Sequence, residues 1–561
     1  MQTPSTILRE VTLEYLQNDI DCSNPPTPEE IEQQLLEKTQ NEFEMANLST
    51  SEKARKLKIP KTLSFMQIAN VMSAIYPICR LSCTGDNSDS DYDLLAIYQS
   101  EGENAGVYST SEDYFRGLMY RFNYQLTSND FKEVMTALRN KVPRKERCVN
   151  RDLIAVNNGI FNYETKTLEP FTPDLVFLTK SKVNYNPAAT NITIHNTDDN
   201  TDWDIENWMN DLSDDPEIVN VLWEILGAII RPNVRWNKSA WLYSETGNNG
   251  KGTLCELMRS LCGAGSYASI SIADFSKDFL LEPLTRATAI IVDENDVGTF
   301  IDRAANLKAV ITNDVIQINR KFKTPIAYQF FGFMVQCLNE FPRIKDKSDS
   351  FYRRQLFIPF NKCFTGKERK YIKNDYLHRT EVLEYVMYKV LNMNYYQLSE
   401  PEACKRVLQE YKEFNDPVRQ FWEELSDAFV WDFLPFTFLY DLYIQWFRKN
   451  APSGSPQGRN TFINDVLNIT SQSNEWYCTD KSTPVRVGSR MSKPEPMICM
   501  YGLKDWKTPG YTGSDINQAS MPMVADRYRG LQRYINGTSN TPITVDADEP
   551  DDAPEQTEQK E

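Results

Sequence analysis

Histidine is nearly missing from this 561-residue sequence, which holds only His195 and His378. The 11 cysteines are unevenly spaced and contain no Cys-x-x-Cys pair. Cys79 and Cys83 lie close together, but neither histidine is near them in sequence. The ligand spacing of a zinc site is therefore lacking. An odd number of scattered thiols fits a reduced, cytoplasmic protein rather than a disulfide framework. No apolar run approaches the ~20 residues that cross a bilayer, and Met1 to Glu10 has no secretory pattern. Net positive charge is lacking as well: 61 Lys and Arg against 78 Asp and Glu leave a formal charge of −17. A surface coated for polyanion binding is thereby excluded, so any nucleic-acid contact must be local.

The most informative stretch that is present runs Gly247-Asn248-Asn249-Gly250-Lys251-Gly252-Thr253. It closely follows the apolar Ala240 to Tyr243 and precedes a helix-like Leu254 to Met258. Strand, Gly-rich turn with a Lys, then helix is a way to hold a nucleoside triphosphate. Backbone N–H groups curl around phosphate oxygens, and the helix N-terminus adds partial positive charge. Lys251 would reach the outer phosphates. Two positions depart from the strict pattern: Glu245 stands where a Gly is usual, and Gly252 follows the Lys, so the first hydroxyl is Thr253.

Three further elements follow in order. Ala289 to Val292 reads as a buried strand ending in Asp293 and Glu294, suited to holding Mg²⁺ and polarising a water. Phe330 to Leu338 reads as a strand ending in Asn339, whose amide could orient that water. Arg353 and Arg354 precede the apolar Leu356 to Phe360, and either could stabilise a transferring phosphoryl group in a neighbouring subunit. Each signal alone has a plain structural explanation; their order and spacing carry the reading.

Residues from about 150 to 390 resemble the superfamily 3 helicase domain, most closely that of phage and plasmid primase-helicases of the satellite-phage and poxvirus type. The resemblance rests on Asn157 to Asn162, on Ala273-Asp274-Phe275 with Phe279, and on Asp314-Val315-Ile316 with Lys321-Phe322-Lys323 and Pro325. It rests also on Asn339 with Pro342, Arg353-Arg354, and Ile358-Pro359-Phe360. Leu338 departs from the small or hydroxylated residue often found before the Asn. The resemblance implies a ring hexamer with ATP and Mg²⁺ between subunits. Gly247 to Thr253 would bind ATP, Thr253 and Asp293 the metal, and Glu294, Asn339, Arg353 and Arg354 would act in catalysis. It also implies a hairpin whose Arg320, Lys321, Phe322 and Lys323 grip single-stranded DNA, moving 3′ to 5′, with no membrane and with replisome or host replication proteins as partners.

The fold expected is α/β and multidomain, with an AAA+-like superfamily 3 helicase core. The expected division is 1–60 helical and acidic, 61–150 a small mixed α/β domain, and 151–235 a helical collar region. The ATPase follows at 236–392, then 416–535 winged-helix-like, where Arg459 and Asn460 would open a recognition helix, and 536–561 a disordered acidic tail. Val485 to Val487 and Met497 to Tyr501 are expected as its strands. Two other functions stay open. A bifunctional primase-helicase would use Asp89, Asp91 and Asp93 as alternating metal ligands. An origin-binding initiator or loader would mark or melt DNA without processive unwinding.

Overall fold

The computed structural model describes residues 3–49, 55–82, 93–277, 279–321, 323–450, 456–471 and 473–534. Two units divide the chain, Met1–Gln409 and Glu410–Glu561. In the first, α1 (Pro4–Glu14) packs on α2 (Pro28–Leu48). The start of α2 follows from sequence: the Thr27 hydroxyl accepts from the Glu30 N–H, the Glu30 carboxylate accepts from the Thr27 N–H, and Pro28 fills the first position, where no N–H is needed. These helices share one apolar core, from Ile7 to Val142, with α3 (Phe65–Ile75) and a four-stranded sheet. The sheet order is β3-β2-β1-β4, from β1 (Ile78–Leu81), β2 (Leu94–Tyr98), β3 (Tyr108–Ser109) and β4 (Arg144–Lys145). Helices α4 (Glu112–Phe122) and α5 (Ser128–Lys141) complete that core.

Two sequence expectations change here. Ala105 to Tyr108 reads from sequence as a short strand, but only Tyr108 is in one; Ala105 to Val107 is a turn, in which Gly106 takes φ +94° and a Cβ would lie 2.3 Å from the Phe171 ring. Of the three alternating carboxylates, Asp89 and Asp91 lie outside the described residues, as does the acidic tail from 536. Asp93 is 2% exposed, and Arg144 clasps it through Nε and Nη2 at 2.9 and 3.0 Å. Its carboxylate is occupied by an ion pair rather than turned to a metal.

A three-stranded meander follows, β5 (Leu153–Val156), β6 (Gly159–Asn162) and β7 (Thr167–Glu169), then the ribbon β8 (Ile194–Asn196) with β9 (Thr201–Trp203). After α6 (Ile205–Asp211) comes α7 (Pro216–Ile230), capped by Asp215 and opened by Pro216. Its apolar residues run around the helix, as in a helix buried on all sides, and it lies in the same core as the sheet that follows.

That sheet positions the site. It contains β10 (Ser239–Tyr243), β11 (Tyr267–Ala268), β12 (Ala289–Val292), β16 (Phe333–Leu338) and β18 (Gln355–Pro359), and the spatial order is β11-β12-β16-β10-β18. Between them come α8 (Lys251–Cys262), the β13 (Phe300–Ile301) and β17 (Arg343–Ile344) pair, α9 (Ala305–Ile311), the antiparallel hairpin of β14 (Val315–Arg320) with β15 (Lys323–Gln329), and α10 (Asp349–Tyr352). Every pairing in the five-stranded sheet is parallel. Crossover elements cover both faces, which is why β10, β12 and β16 are buried at each position and nearly all apolar. Helices α11 (Lys370–Asn374), α12 (Thr380–Asn392) and α13 (Glu402–Asn415) follow, and α13 contains the point of division.

The second unit has its own core, from Val418 to Leu531. Its order is α14 (Pro417–Leu425), β19 (Phe433–Pro435), α15 (Phe436–Asn450), α16 (Arg459–Thr470), β20 (Trp476–Tyr477), β21 (Val485–Arg486), α17 (Met497–Met500), β22 (Arg527–Tyr528) and β23 (Gly530–Arg533). β23 lies between β19 and β20, and β21 pairs with β22. Met497 to Tyr501 is helical rather than extended. Pro496 already holds φ −57° and ψ −28°, which starts a helical turn, and Gly502 at φ +65° ends it. Among the described residues no helix is long and apolar enough to cross a membrane.

Asp93→Ala removes a buried carboxylate that the partly exposed Arg144 clasps with two hydrogen bonds. We expect a loss of about 3 kcal/mol, read as faster hydrogen exchange in β1, β2 and α5 with exchange in the second unit unchanged.

Candidate nucleotide site

Lys251 is the first residue of α8, and the chain reaches it through two left-handed residues, Asn248 at φ +57° and Gly250 at φ +87°. Asn tolerates this conformation. At Gly250 a Cβ would also lie 2.7 Å from Leu212 Cδ2, so glycine is required twice over. The loop is braced from inside by Asn249, 3% exposed, whose amide donates to the Thr246 carbonyl at 2.5 Å. The N–H groups of Gly252 and Thr253, in the first turn of α8, have no partner within the helix. The result is a concave run of backbone N–H groups at the positive end of a 12-residue helix.

The Lys251 side chain is buried, 5% exposed, and its ammonium is held by oxygens at the C-terminal ends of two adjacent strands. Nζ donates to the Leu338 carbonyl at 2.9 Å, to Asn339 Oδ1 at 2.8 Å and to the Ser244 carbonyl at 3.4 Å. Burial lowers the Lys251 pKa from its ordinary value. Two residues chosen 88 positions apart in sequence, Lys251 and Asn339, are thus in direct contact. Behind them Cys255 and Cys337 bring their sulfurs to 3.4 Å, and the contact and burial raise the Cys337 thiol well above its ordinary range.

Asp293 and Glu294 leave the C-terminal end of β12, and both are exposed. Burial pushes the Asp293 carboxyl upward, but the hydrogen bond and charge of Arg259 outweigh it and hold the pKa below 3.8. Arg259 Nη2 reaches Asp293 Oδ1 at 2.9 Å from the last turn of α8. Sequence reading missed Arg259; its signal is a basic residue two turns beyond the phosphate loop on a helix that packs on β12. Asn295, the next residue but one after Asp293, was missed as well. Its amide donates to Gln336 Oε1 at 2.9 Å and to the Cys337 carbonyl at 3.0 Å, while its oxygen accepts from the Ile272 N–H at 3.0 Å. This buried amide bridge fixes the acidic strand end against β16.

A third feature not read from sequence is the segment after β18. Phe364 N–H donates to the Asn248 carbonyl at 2.8 Å, and the Asn248 amide bonds the Glu368 carboxylate. The segment therefore straps the outer side of the phosphate loop.

The two arginines separate. Arg354 bonds the Ser350 carbonyl and its hydroxyl, the latter at 2.8 Å, and so closes its own turn. Arg353 is exposed, and no described residue pairs with its guanidinium. Both lie at the N-terminal end of β18: the Ser239 N–H donates to the Arg354 carbonyl at 2.8 Å, whereas the phosphate loop follows Tyr243 at the other end of β10. At about 3.3 Å per residue, the strand separates the two ends by roughly 13 Å.

The hairpin is anchored by Ile316, Ile318, Ile326 and Tyr328, all buried. Arg320 pairs in register with Lys323 near the tip, where Lys321 is exposed. Phe322 and the side chain of Lys323 lie outside the described residues. In the second unit, Arg459 and Asn460 open α16 and are exposed.

The donor set suits a magnesium nucleotide. The N–H cradle and Lys251 match phosphate oxygens. Mg²⁺ keeps several waters and needs only one or two protein oxygens, which Asp293 and the partly exposed Thr253 can supply. No group of three or more His, Cys, Asp or Glu able to hold a metal occurs among the described residues.

Arg259→Gln removes the charge and hydrogen bond that lower the Asp293 pKa. Asp293 has a depressed folded pKa, so the stability it contributes is present above the unfolded value near 3.9 and is lost as pH falls through the folded one. We expect wild type to exceed the variant by about 1 kcal/mol at neutral pH, with the gap closing below pH ~4, in thermal melts across pH.

Three family descriptions match the chain. One described as D5 N terminal like covers residues 112–213. A family of unknown function (DUF5906) covers residues 242–354, and one described as poxvirus D5 protein-like covers residues 413–488. Two solved apo structures of the NrS-1 C-terminal region are also similar. The first is 14% identical and covers 75% of this chain and 96% of that one at a TM-score of 0.40. The second is 13% identical and covers 76% and 97% at a TM-score of 0.40. D5-like sequence thus lies on both sides of the phosphate-loop segment, a likeness to the phage and poxvirus D5-type primase-helicase family.

Proposed function

We propose that the chain is an ATP-driven replicative DNA helicase of a phage or related mobile element, working in the host cytoplasm as a ring, most simply a homohexamer. The observation that carries this reading is the contact of buried Lys251 with Asn339 at the C-terminal edge of the sheet, the edge at which Asp293 also leaves β12. The parallel strand order, with the phosphate-loop strand β10 second from one edge, supports an AAA+-like core.

Lys251 and the N–H groups of residues 247–253 bind the phosphates. Bound Mg²⁺ would neutralise phosphate charge, held by Asp293 and Thr253. Glu294 is exposed at the strand end and accepts a proton from the attacking water; Asn339 orients that water and is itself held by Lys251. Arg353 is the residue we assign to stabilising the transferring phosphoryl group. Its position at the far end of β10 from its own loop supports a role in the site of the next subunit, and its exposed guanidinium favours it over Arg354. The tip of the 315–329 hairpin, with Lys321, contacts single-stranded DNA. Within an acidic chain, a ring of such tips concentrates positive charge where a polyanion passes. The initiator alternative keeps the same ATPase and differs in DNA specificity. The primase alternative has lost one of its ligands, since Asp93 is held by Arg144.

Lys251→Ala is expected to abolish ATP hydrolysis. Arg353→Ala should lower it by about 10³-fold or more, and mixing it with Glu294→Gln should restore a fraction of turnover, since each supplies what the other lacks. Mixed assemblies with no recovery would overturn the shared site. Lys321→Ala should keep basal hydrolysis and lose its stimulation by single-stranded DNA.

A further inference from the structure

Gly252 is the second residue of α8, at the position where a hydroxyl usually follows the loop lysine. With no side chain of its own there, the helix leaves that position open. A Cβ on Gly252 would meet one atom from outside α8 within 4 Å among the described residues, Lys373 Nζ at 3.9 Å. Lys373 belongs to α11, Lys370–Asn374, which packs on α8. Its neighbours hold that helix in place. Ile372 is buried, Tyr371 Oη donates to Asp199 Oδ2 at 2.7 Å, and the Asp375 N–H donates to the Tyr371 carbonyl at 2.9 Å.

An ammonium at this spot is out of place. The first turn of a helix carries partial positive charge, so a cation beside it is disfavoured and an anion favoured. Lys251 opens the same turn and adds a second positive charge. The surrounding segment relieves neither: residues 362–373 hold five Lys and Arg and a single acid, Glu368. That acid is taken by the Asn248 amide and the Gly366 N–H. Two of the cations find carboxylates elsewhere, Lys362 with Asp214 at 2.8 Å and Arg369 near Asp199 at 3.9 Å. Lys373 has no carboxylate at ion-pair distance among the described residues. Its charge does reach Asp293, whose carboxyl burial raises, Arg259 lowers most, and Lys373 lowers further. Asp293 itself is paired with Arg259 at 2.9 Å. Two ammoniums and a helix N-terminus therefore gather without a carboxylate to neutralise them. An anion with several oxygens, such as a chain of phosphates, removes the conflict.

We propose that Lys373 is a second phosphate-binding cation of the nucleotide site, contacting the phosphate chain from the α11 side while Lys251 contacts it from the sheet edge. This rests on the nucleotide reading above and adds to it a residue from outside the phosphate loop. Gly252 gives the lysine its approach, because a long side chain there would stand between ammonium and phosphates. Lys373 acts on binding of the nucleotide rather than on attack by water, so its loss is read in affinity and KM more than in kcat.

The test titrates the full chain with ATP and ADP carrying a fluorescent label on the ribose, in the presence of Mg²⁺, and follows ATP hydrolysis in parallel. For Lys373→Gln we expect both labelled nucleotides to bind about tenfold more weakly, KM for ATP to rise by a similar factor, and kcat to change little. Lys373→Arg should keep most of the affinity. Without nucleotide, Lys373→Gln should melt at or above the wild-type temperature, since an unpaired cation has left the positive end of α8. Unchanged affinity in Lys373→Gln, with binding still lost in Lys251→Ala, would overturn the role of Lys373 and leave the nucleotide site intact. Weaker binding together with a lower melting temperature, neither restored by Lys373→Arg, would make Lys373 a packing residue and overturn the proposal as well. Wild type that binds no labelled ATP would overturn both readings.

Discussion

A buried ammonium is the constraint around which the first unit is organised. Lys251 is almost fully removed from water, and an unpartnered charge there would cost several kcal/mol. Oxygens must therefore converge on it, and they come from the ends of two strands that are neighbours only because the sheet is parallel and crossed over. The buried sheet exists because β10, β12, β16 and β18 are apolar enough to be covered on both faces. The left-handed turn exists because Asn248 and Gly250 accept it. Each level, from residue choice to sheet order, ends at the same ammonium.

Much of this was legible in the chain. The Gly-rich turn, the strand ending at Asp293, the strand ending at Asn339 and the hairpin were each readable as structure from local pattern, because glycine conformation, buried-strand composition and strand-ending polar residues are local properties. The capping of α2 by Thr27 and Pro28 was readable for the same reason. What escaped was long-range. Arg259 looks like any helix cation until β12 is laid beside it, and the Asn295 to Gln336 bridge joins residues 41 positions apart. The strap at Phe364 to Glu368 has no motif at all. Met497 to Tyr501 misled because four apolar residues in a row fit strand or helix equally; the proline before them decided it.

The two arginines illustrate how geometry resolves what pattern leaves open. Adjacent and identical in sequence, they differ by what their neighbours demand. Arg354 is consumed by the turn that launches β18, through Ser350, while Arg353 faces outward. A parallel sheet has two unlike edges, one collecting loops that bind and one collecting loops that do not. The arginines lie on the second edge, at the opposite end of β10 from the turn that carries Lys251.

The hairpin has a mechanical side. Its foot is pinned where Asn313, at φ +53°, donates to the Phe330 carbonyl at 3.0 Å, and where a Cβ on Gly332 would meet the Thr288 carbonyl oxygen at 2.3 Å. Gly332 leads directly into β16, whose far end is Asn339. The ribbon is thus tightly held at its foot. Its arm of six residues is about 20 Å long, so a rotation of about 10° at the foot would carry the tip about 3.5 Å.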